Sequence, residues 1–250
     1  MQGRIRAFCI LKSRWIVAVA VQMDGTPAGF AESPAPAPTM RSFFLDGPAG
    51  RLEALLNAGR ADAPYAALVC HPHPKGGGTM HNKVVYHAAK VFSGLGWPVL
   101  RFNFRGTGLR EGEHDGAAEV EDVGAALDWM AAEFGSPIVA AGFSFGAAMG
   151  LKAASGYPGL AGFAALGLPT HAEGRDYLYP YFSALDFPTL FLSGDRDQYA
   201  PVEQLRTVVA AARQPSEFVL IPQADHFFTG HLSPMQAALG EWLQRHYPPD

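Results

Sequence analysis

The chain has 250 residues, 48% hydrophobic and 17% charged, with a formal net charge of −4. That length and apolar content suit one large domain with a sizeable core better than two small ones. The scattered Lys and Arg residues lack the clustered basic footprint of a nucleic-acid binder, so that class of partner is excluded.

Residues 1–39 differ from the rest. Arg4, Arg6, Lys12 and Arg14 precede the apolar run Trp15–Val21, and Pro34, Pro36 and Pro38 then form a stiff extended linker. The segment is expected to be a disordered or non-native N-terminal extension, with Met40 as an alternative start. Basic, then apolar, then small residues also fit an export signal over residues 1–31. The apolar run is well short of the ~20 residues that span a bilayer, so no membrane span is expected. Of the two cysteines, Cys9 and Cys70, the second closes an apolar run and reads as a buried thiol rather than half a disulfide. That usage suits a reducing compartment, which makes the expected location cytoplasmic unless the N-terminal segment exports the chain.

From Arg41 the pattern becomes regular, and residues 40–250 read as one domain. Ser42–Leu45 and Arg51–Leu56 flank Gly47-Pro48-Ala49-Gly50, a predicted hairpin. Tyr65–Cys70 is a continuous apolar strand. A helix over 82–95 and a strand over 97–102 follow. Val120, Val123, Leu127 and Met130 set a helix over 119–134. Next come a strand over 138–142, a helix over 145–155, a strand over 161–168 and a strand over 189–192. A helix over 201–212, a strand over 218–221 and a helix over 232–246 complete the chain. Strands alternating with helices predict an α/β fold: a mostly parallel sheet with helices on both faces.

Gly142-Phe143-Ser144-Phe145-Gly146 has the form G-x-S-x-G and sits between a predicted strand and a predicted helix. A serine at the apex of such a turn is a nucleophile elbow. The sharp turn demands small neighbours on either side, which Gly142 and Gly146 supply. The apex also lies at a helix N-terminus, where unpaired N–H groups favour developing negative charge.

A serine hydroxyl needs a base, and the base needs an orienting acid, in the chain order Ser, Asp or Glu, His. The strand over 189–192 runs into Ser193-Gly194-Asp195-Arg196-Asp197, and that over 218–221 into Gln223-Ala224-Asp225-His226. Loops beyond the carboxyl ends of parallel strands are where such groups belong. His226 is the predicted base. Asp197 is the predicted acid, ahead of Asp195, which is better placed to brace its turn. Phe145 N–H is one predicted oxyanion donor, and the loop His71-Pro72-His73-Pro74 supplies the other. Proline has no N–H, so His73 is the only donor among residues 72–74. His71 and His73 have no third ligand at a metal-site spacing nearby, and Gly76-Gly77-Gly78 lacks the ending of a phosphate loop, so neither a metal nor a cofactor is expected. The glycines read as a turn. Arg105 either braces loops around the site or is a solvated surface arginine.

Together these residues resemble the α/β-hydrolase superfamily. More narrowly, His71-Pro-His-Pro, Gly77-Gly-Thr-Met-His-Asn-Lys83, Arg101-Phe-Asn-Phe-Arg-Gly106, the elbow and Asp225-His-Phe-Phe228 are similar to a group of small, capless bacterial serine hydrolases. The resemblance covers about residues 41–247. The architecture is similar to that of dienelactone hydrolases, with Ser144 where those carry a cysteine. It implies the α/β-hydrolase fold with no lid domain, a triad of Ser144, Asp197 and His226, and carboxylesterase-like cleavage of small-molecule esters. Hydrolysis of small peptides or lactones is the alternative chemistry, and a non-catalytic scaffold that binds a ligand or partner is the alternative class. Residues 169–188 are too few for a lid domain. Phe143 and Phe227 beside the elbow and histidine, and Tyr177 and Tyr179 in this connection, are the candidate substrate-binding residues; the tyrosines either line an acyl pocket or cap the sheet. The oligomeric state is left open, a homodimer included.

Overall fold

The fold is described from a computed structural model of the chain, over residues 17–19, 39–108, 113–172, 174–213 and 215–248. In chain order the strands and helices are β1 (Val17–Val19), β2 (Met40–Gly47), β3 (Gly50–Asn57), β4 (Ala66–Cys70), α1 (Lys83–Gly94), β5 (Val99–Phe102), α2 (Glu119–Phe134), β6 (Ile138–Phe143) and α3 (Phe145–Ala154). They continue as β7 (Leu160–Leu166), β8 (His171–Ala172), β9 (Arg175–Asp176), β10 (Thr189–Gly194), α4 (Val202–Val209), β11 (Ser216–Ile221) and α5 (Leu232–His246).

Among the described residues nine strands form one sheet in the order β1-β11-β10-β7-β6-β4-β5-β3-β2. Only β3 runs against the others, because a two-residue turn closes the β2–β3 hairpin at Gly47 and Gly50. All remaining neighbours pair in parallel. The central strands are buried along their whole length, as expected of a parallel sheet covered on both faces.

Strand periodicity divides the apolar residues between two cores. Leu68, Cys70, Ile138 and Ala140 face one side, with Leu127, Met130, Leu151 and Leu205 from α2, α3 and α4. Ala67, Val69, Val139 and Ala141 face the other, with Val85 and Phe92 of α1 and Leu239, Trp242 and Leu243 of α5. Burying each large side chain contributes roughly 1.5–3 kcal/mol.

The predicted α/β fold is therefore the observed one, and α2 and α5 have the predicted bounds. β7 ends at Leu166 rather than Leu168, since Gly167 turns to φ +54° and the chain leaves the sheet. α4 stops at Val209, followed by a turn rather than the predicted last helical residues. Between β7 and β10 the described residues form only the small β8–β9 hairpin and a 3₁₀ turn at Phe182–Ala184, so the connection carries no lid domain. Most of the expectation for residues 1–39 lies outside the described residues; of them Val17–Val19 form an edge strand beside β11. Among the described residues no helix is long and apolar enough to cross a membrane.

The order of the strands places the site. The chain leaves β4 for β5 on one side, then crosses back to β6 on the other. The carboxyl ends of β4 and β6 thus flank the point where the strand order reverses, the usual ligand crevice of an open parallel sheet.

Candidate active site

Ser144 stands alone between β6 and α3, with φ 54° and ψ −118°. A non-glycine residue held there costs on the order of 1–3 kcal/mol and persists only when its surroundings fix it. Ser144 N–H donates to Leu166 O at 2.9 Å, and Ser144 O accepts from Ala147 N–H and Ala148 N–H at 2.9 and 3.1 Å. The flanking glycines are needed for space. A Cβ on Gly142 would lie 2.3 Å from Gly146 O, and one on Gly146 would lie 2.4 Å from His71 O.

The two residues read from the loops, His226 and Asp197, meet at this apex. His226 Nε2 lies 2.9 Å from Ser144 Oγ, and His226 Nδ1 lies 2.8 Å from Asp197 Oδ2. His226 and Asp197 are buried. Asp197 also accepts from Ser193 Oγ–H at 3.0 Å and from Tyr199 N–H at 2.8 Å. A carboxylate surrounded by donors puts the imidazole proton on Nδ1 and leaves the Nε2 lone pair facing the serine hydroxyl. The ring is clamped by Phe143 and Tyr199, at centroid distances of 5.0 and 4.6 Å. Asp195 lies elsewhere: its Oδ1 accepts from Gln223 N–H at 2.7 Å and ties the two loops together, the bracing role expected for it.

As the first residue of α3, Phe145 has an N–H with no intrahelical acceptor. The His73 ring packs edge-on against the Phe145 ring at 4.9 Å. His73 O accepts from Gly76 N–H and Gly78 N–H at 3.1 and 3.0 Å, which folds the glycine-rich stretch into a tight turn. Ser144, His226, Phe145 and His73 all line one cavity of about 150 Å³, together with Pro72, Gly76, Asn82, Ala172, Tyr177, Tyr199 and Phe227.

Two of the four candidate pocket residues, Tyr177 and Phe227, lie at this cavity, and two do not. Phe143 is fully buried behind His226, since residues of β6 alternate faces and Phe143 points into the core under α1 and α5. Tyr179 turns into the opposite core, stacks on Phe182 at 4.7 Å and donates its hydroxyl to Pro169 O at 2.6 Å. Tyr181 is half-buried and donates to Ala148 O of α3, so it is tied to that helix and does not line the cavity. Tyr199, Asn82 and Ala172 were not singled out from the sequence. Of these only Tyr199 carried a local signal, two residues after Asp197 in an Asx turn.

The remaining polar residues near the site are structural. His71 is fully buried; its Nδ1–H donates to Pro72 O at 2.6 Å and its Nε2 accepts from Phe104 N–H at 2.9 Å. Burial holds it neutral, with its pKa lowered to about 3 against the opposing pull of the Pro72 carbonyl. Arg105 is a brace, not a solvated side chain: it is buried and grips Asp122 through Nε at 3.0 Å and Nη2 at 2.7 Å. Cys70 is a free buried thiol whose pKa is pushed up by burial, so it is inert. Among the described residues no group of three or more His, Cys, Asp and Glu side chains could hold a metal ion.

The family described as an alpha/beta hydrolase domain matches residues 66–238. The chain belongs to it. An uncharacterized protein of Rickettsia prowazekii is 34% identical over 216 residues, spanning 82% of this chain and 89% of that protein. An α/β serine hydrolase homologue from Coxiella burnetii is 36% identical, with a TM-score of 0.71 over 80% of this chain and 96% of that one. An α/β serine hydrolase without lid from Xanthomonas campestris is 31% identical, with a TM-score of 0.76 over 87% of this chain and all of that one.

Proposed function

We propose that the protein is a serine hydrolase that cleaves small carboxylic esters through an acyl-enzyme on Ser144. The observation that carries this reading is the Ser144 Oγ–His226 Nε2 contact at 2.9 Å, with Asp197 behind the imidazole at 2.8 Å. His226 takes the Ser144 proton as Oγ attacks the ester carbonyl, and gives that proton to the departing alcohol. Water then attacks the acyl-enzyme; His226 takes the water proton and returns it to Ser144 Oγ as the acid leaves. Asp197 stabilises the transient imidazolium. The N–H groups of Phe145 and His73 hold the oxyanion. No cofactor enters this cycle.

A cavity of about 150 Å³ bounded by Tyr177, Tyr199 and Phe227 supports small apolar acyl groups. The absence of a lid in the described residues between β7 and β10 leaves its mouth open. The test is hydrolysis of p-nitrophenyl esters from acetate to palmitate. Turnover is expected to be fastest with short chains and absent in Ser144→Ala. An optimum at long chains refutes the pocket reading. Failure of every ester, together with no fluorophosphonate labelling, refutes the enzyme reading and favours a non-catalytic scaffold.

A further inference from the structure

The loop that carries His73 is held by a chain of side chains outside the triad. His73 Nε2 lies 3.2 Å from His114 Nε2, and the two rings meet edge to face with centroids 4.5 Å apart. On the far side, His114 Nδ1 lies 2.5 Å from Glu119 Oε1, a charge contact rather than a hydrogen bond. Both side chains of this pair are buried, that of His114 at 6% exposure and that of Glu119 at 0%. Glu119 sits in the first turn of α2, where its Oε1 also accepts from Asp115 N–H at 3.1 Å and Gly116 N–H at 3.3 Å. One helical turn further on, Asp122 is locked to Arg105.

The proton positions in this chain follow from its two ends. Lys75 N–H can only donate, and it donates to His73 Nδ1 at 3.2 Å. The proton of a neutral His73 is therefore on Nε2. Nε2–H of His73 faces Nε2 of His114, which must accept, so the His114 proton is on Nδ1 and faces Glu119. Each hydrogen bond from Lys75 to His114 then has one donor and one acceptor, and the carboxylate of Glu119 lies against the protonated nitrogen as a charge contact. The opposite tautomer of either ring would set two donors or two acceptors face to face inside the protein.

We infer that His114, oriented by Glu119, is a positioning residue for the oxyanion hole: it fixes the tautomer and tilt of the His73 ring, and through the ring the backbone N–H of His73. This rests on the reading of His73 N–H as an oxyanion donor. His71 Nε2 ties the same loop to Phe104 N–H. The connection from β5 to α2 thus buttresses the β4 loop at His71, at Met80, whose N–H donates to Asn103 Oδ1 at 2.8 Å, and at His73, and of these three residues His73 lines the cavity.

The test uses His114→Phe, which keeps a flat ring but removes both nitrogens, and His114→Gln, whose amide oxygen can accept from His73 while its N–H donates to Glu119. With p-nitrophenyl acetate, His114→Phe is expected to lower kcat about 10–100-fold, the range for a shifted oxyanion donor, with KM little changed. Its affinity for a trifluoromethyl ketone, whose adduct places an oxyanion in the same hole, should fall by the same factor. His114→Gln should recover most of the loss. Unchanged kcat in His114→Phe, or a rise in KM alone, overturns the inference. A second readout needs no turnover: ¹⁵N spectra of the wild-type histidine rings should show His73 protonated at Nε2 and His114 at Nδ1. The reverse tautomer of either ring overturns the inference even if His114→Phe does not fold. If the wild type hydrolyses no ester, the proposed function fails while these spectra still decide the chain of protons.

Discussion

Three consecutive glycines beneath the His73 loop should respond to alanine in three different ways. A Cβ on Gly76 would meet nothing within 4 Å. Gly77 is equally open but has φ +78°. Gly78 has ordinary φ, yet its Cβ would lie 2.1 Å from Pro72 O and 2.7 Å from His73 O. Gly76→Ala should therefore change stability by no more than about 0.5 kcal/mol. Gly77→Ala faces about 1–2 kcal/mol for the left-handed backbone, partly offset by about 0.4–1 kcal/mol from a less flexible unfolded chain. The net loss is about 1 kcal/mol. Gly78→Ala forces the backbone apart by about 1 Å, for about 1–3 kcal/mol of overpacking. Because the displaced backbone is that of His73, kcat should fall about 100-fold as well. Urea unfolding and p-nitrophenyl acetate kinetics measure the two effects separately. Equal stabilities for the three variants, or full activity in Gly78→Ala, refute the packing argument and the oxyanion role of this loop together.

Other outcomes follow from the same geometry. Ser144→Gly and Ser144→Ala should both be inactive, but Gly should be the more stable, because φ 54° strains alanine and not glycine; denaturation in which alanine keeps its usual advantage contradicts a strained elbow. Asp197→Asn should lower kcat on the order of 10⁴-fold by offering His226 Nδ1–H a donor in place of an acceptor; a loss under about tenfold removes Asp197 from the triad. His71 is held neutral with its pKa lowered to about 3, whereas in the unfolded chain it titrates near 6.5. Between those values the unfolded state binds the extra proton, so the His71 contribution is complete above about pH 6.5 and drains away as pH falls toward 3. The stability advantage of wild type over His71→Gln should thus shrink by at most about 3 kcal/mol between pH 7 and pH 4. An advantage that grows on acidification would reverse the sign of that coupling.

Much of this site was legible because its signals are local. The elbow is one short stretch, and His226 and Asp197 lie just past apolar runs that end as β11 and β10. Helices α2 and α5 carry a clean apolar stripe, so their bounds were readable. The misreadings arise where apolar character does not report direction. Leu168 extends an apolar run, but Gly167 has already turned the chain out of the sheet. Tyr179 and Tyr177 differ by two residues in an aromatic cluster, and nothing local says that one enters the core and the other the cavity. Arg105 stayed ambiguous because Asp122 lies a loop and a helical turn away. His114 and Glu119 went unread for the same reason: their meaning depends on His73, 41 residues from His114 along the chain and one ring away in space.

The most direct test of the central claim is rapid mixing of the wild-type protein with p-nitrophenyl acetate, followed by acid quench and mass analysis. A burst of nitrophenol stoichiometric with enzyme, and an acetyl group on the peptide containing Ser144, is the predicted result. Nitrophenol release with no burst, and acetyl found on another residue or on none, would contradict an acyl-enzyme on Ser144.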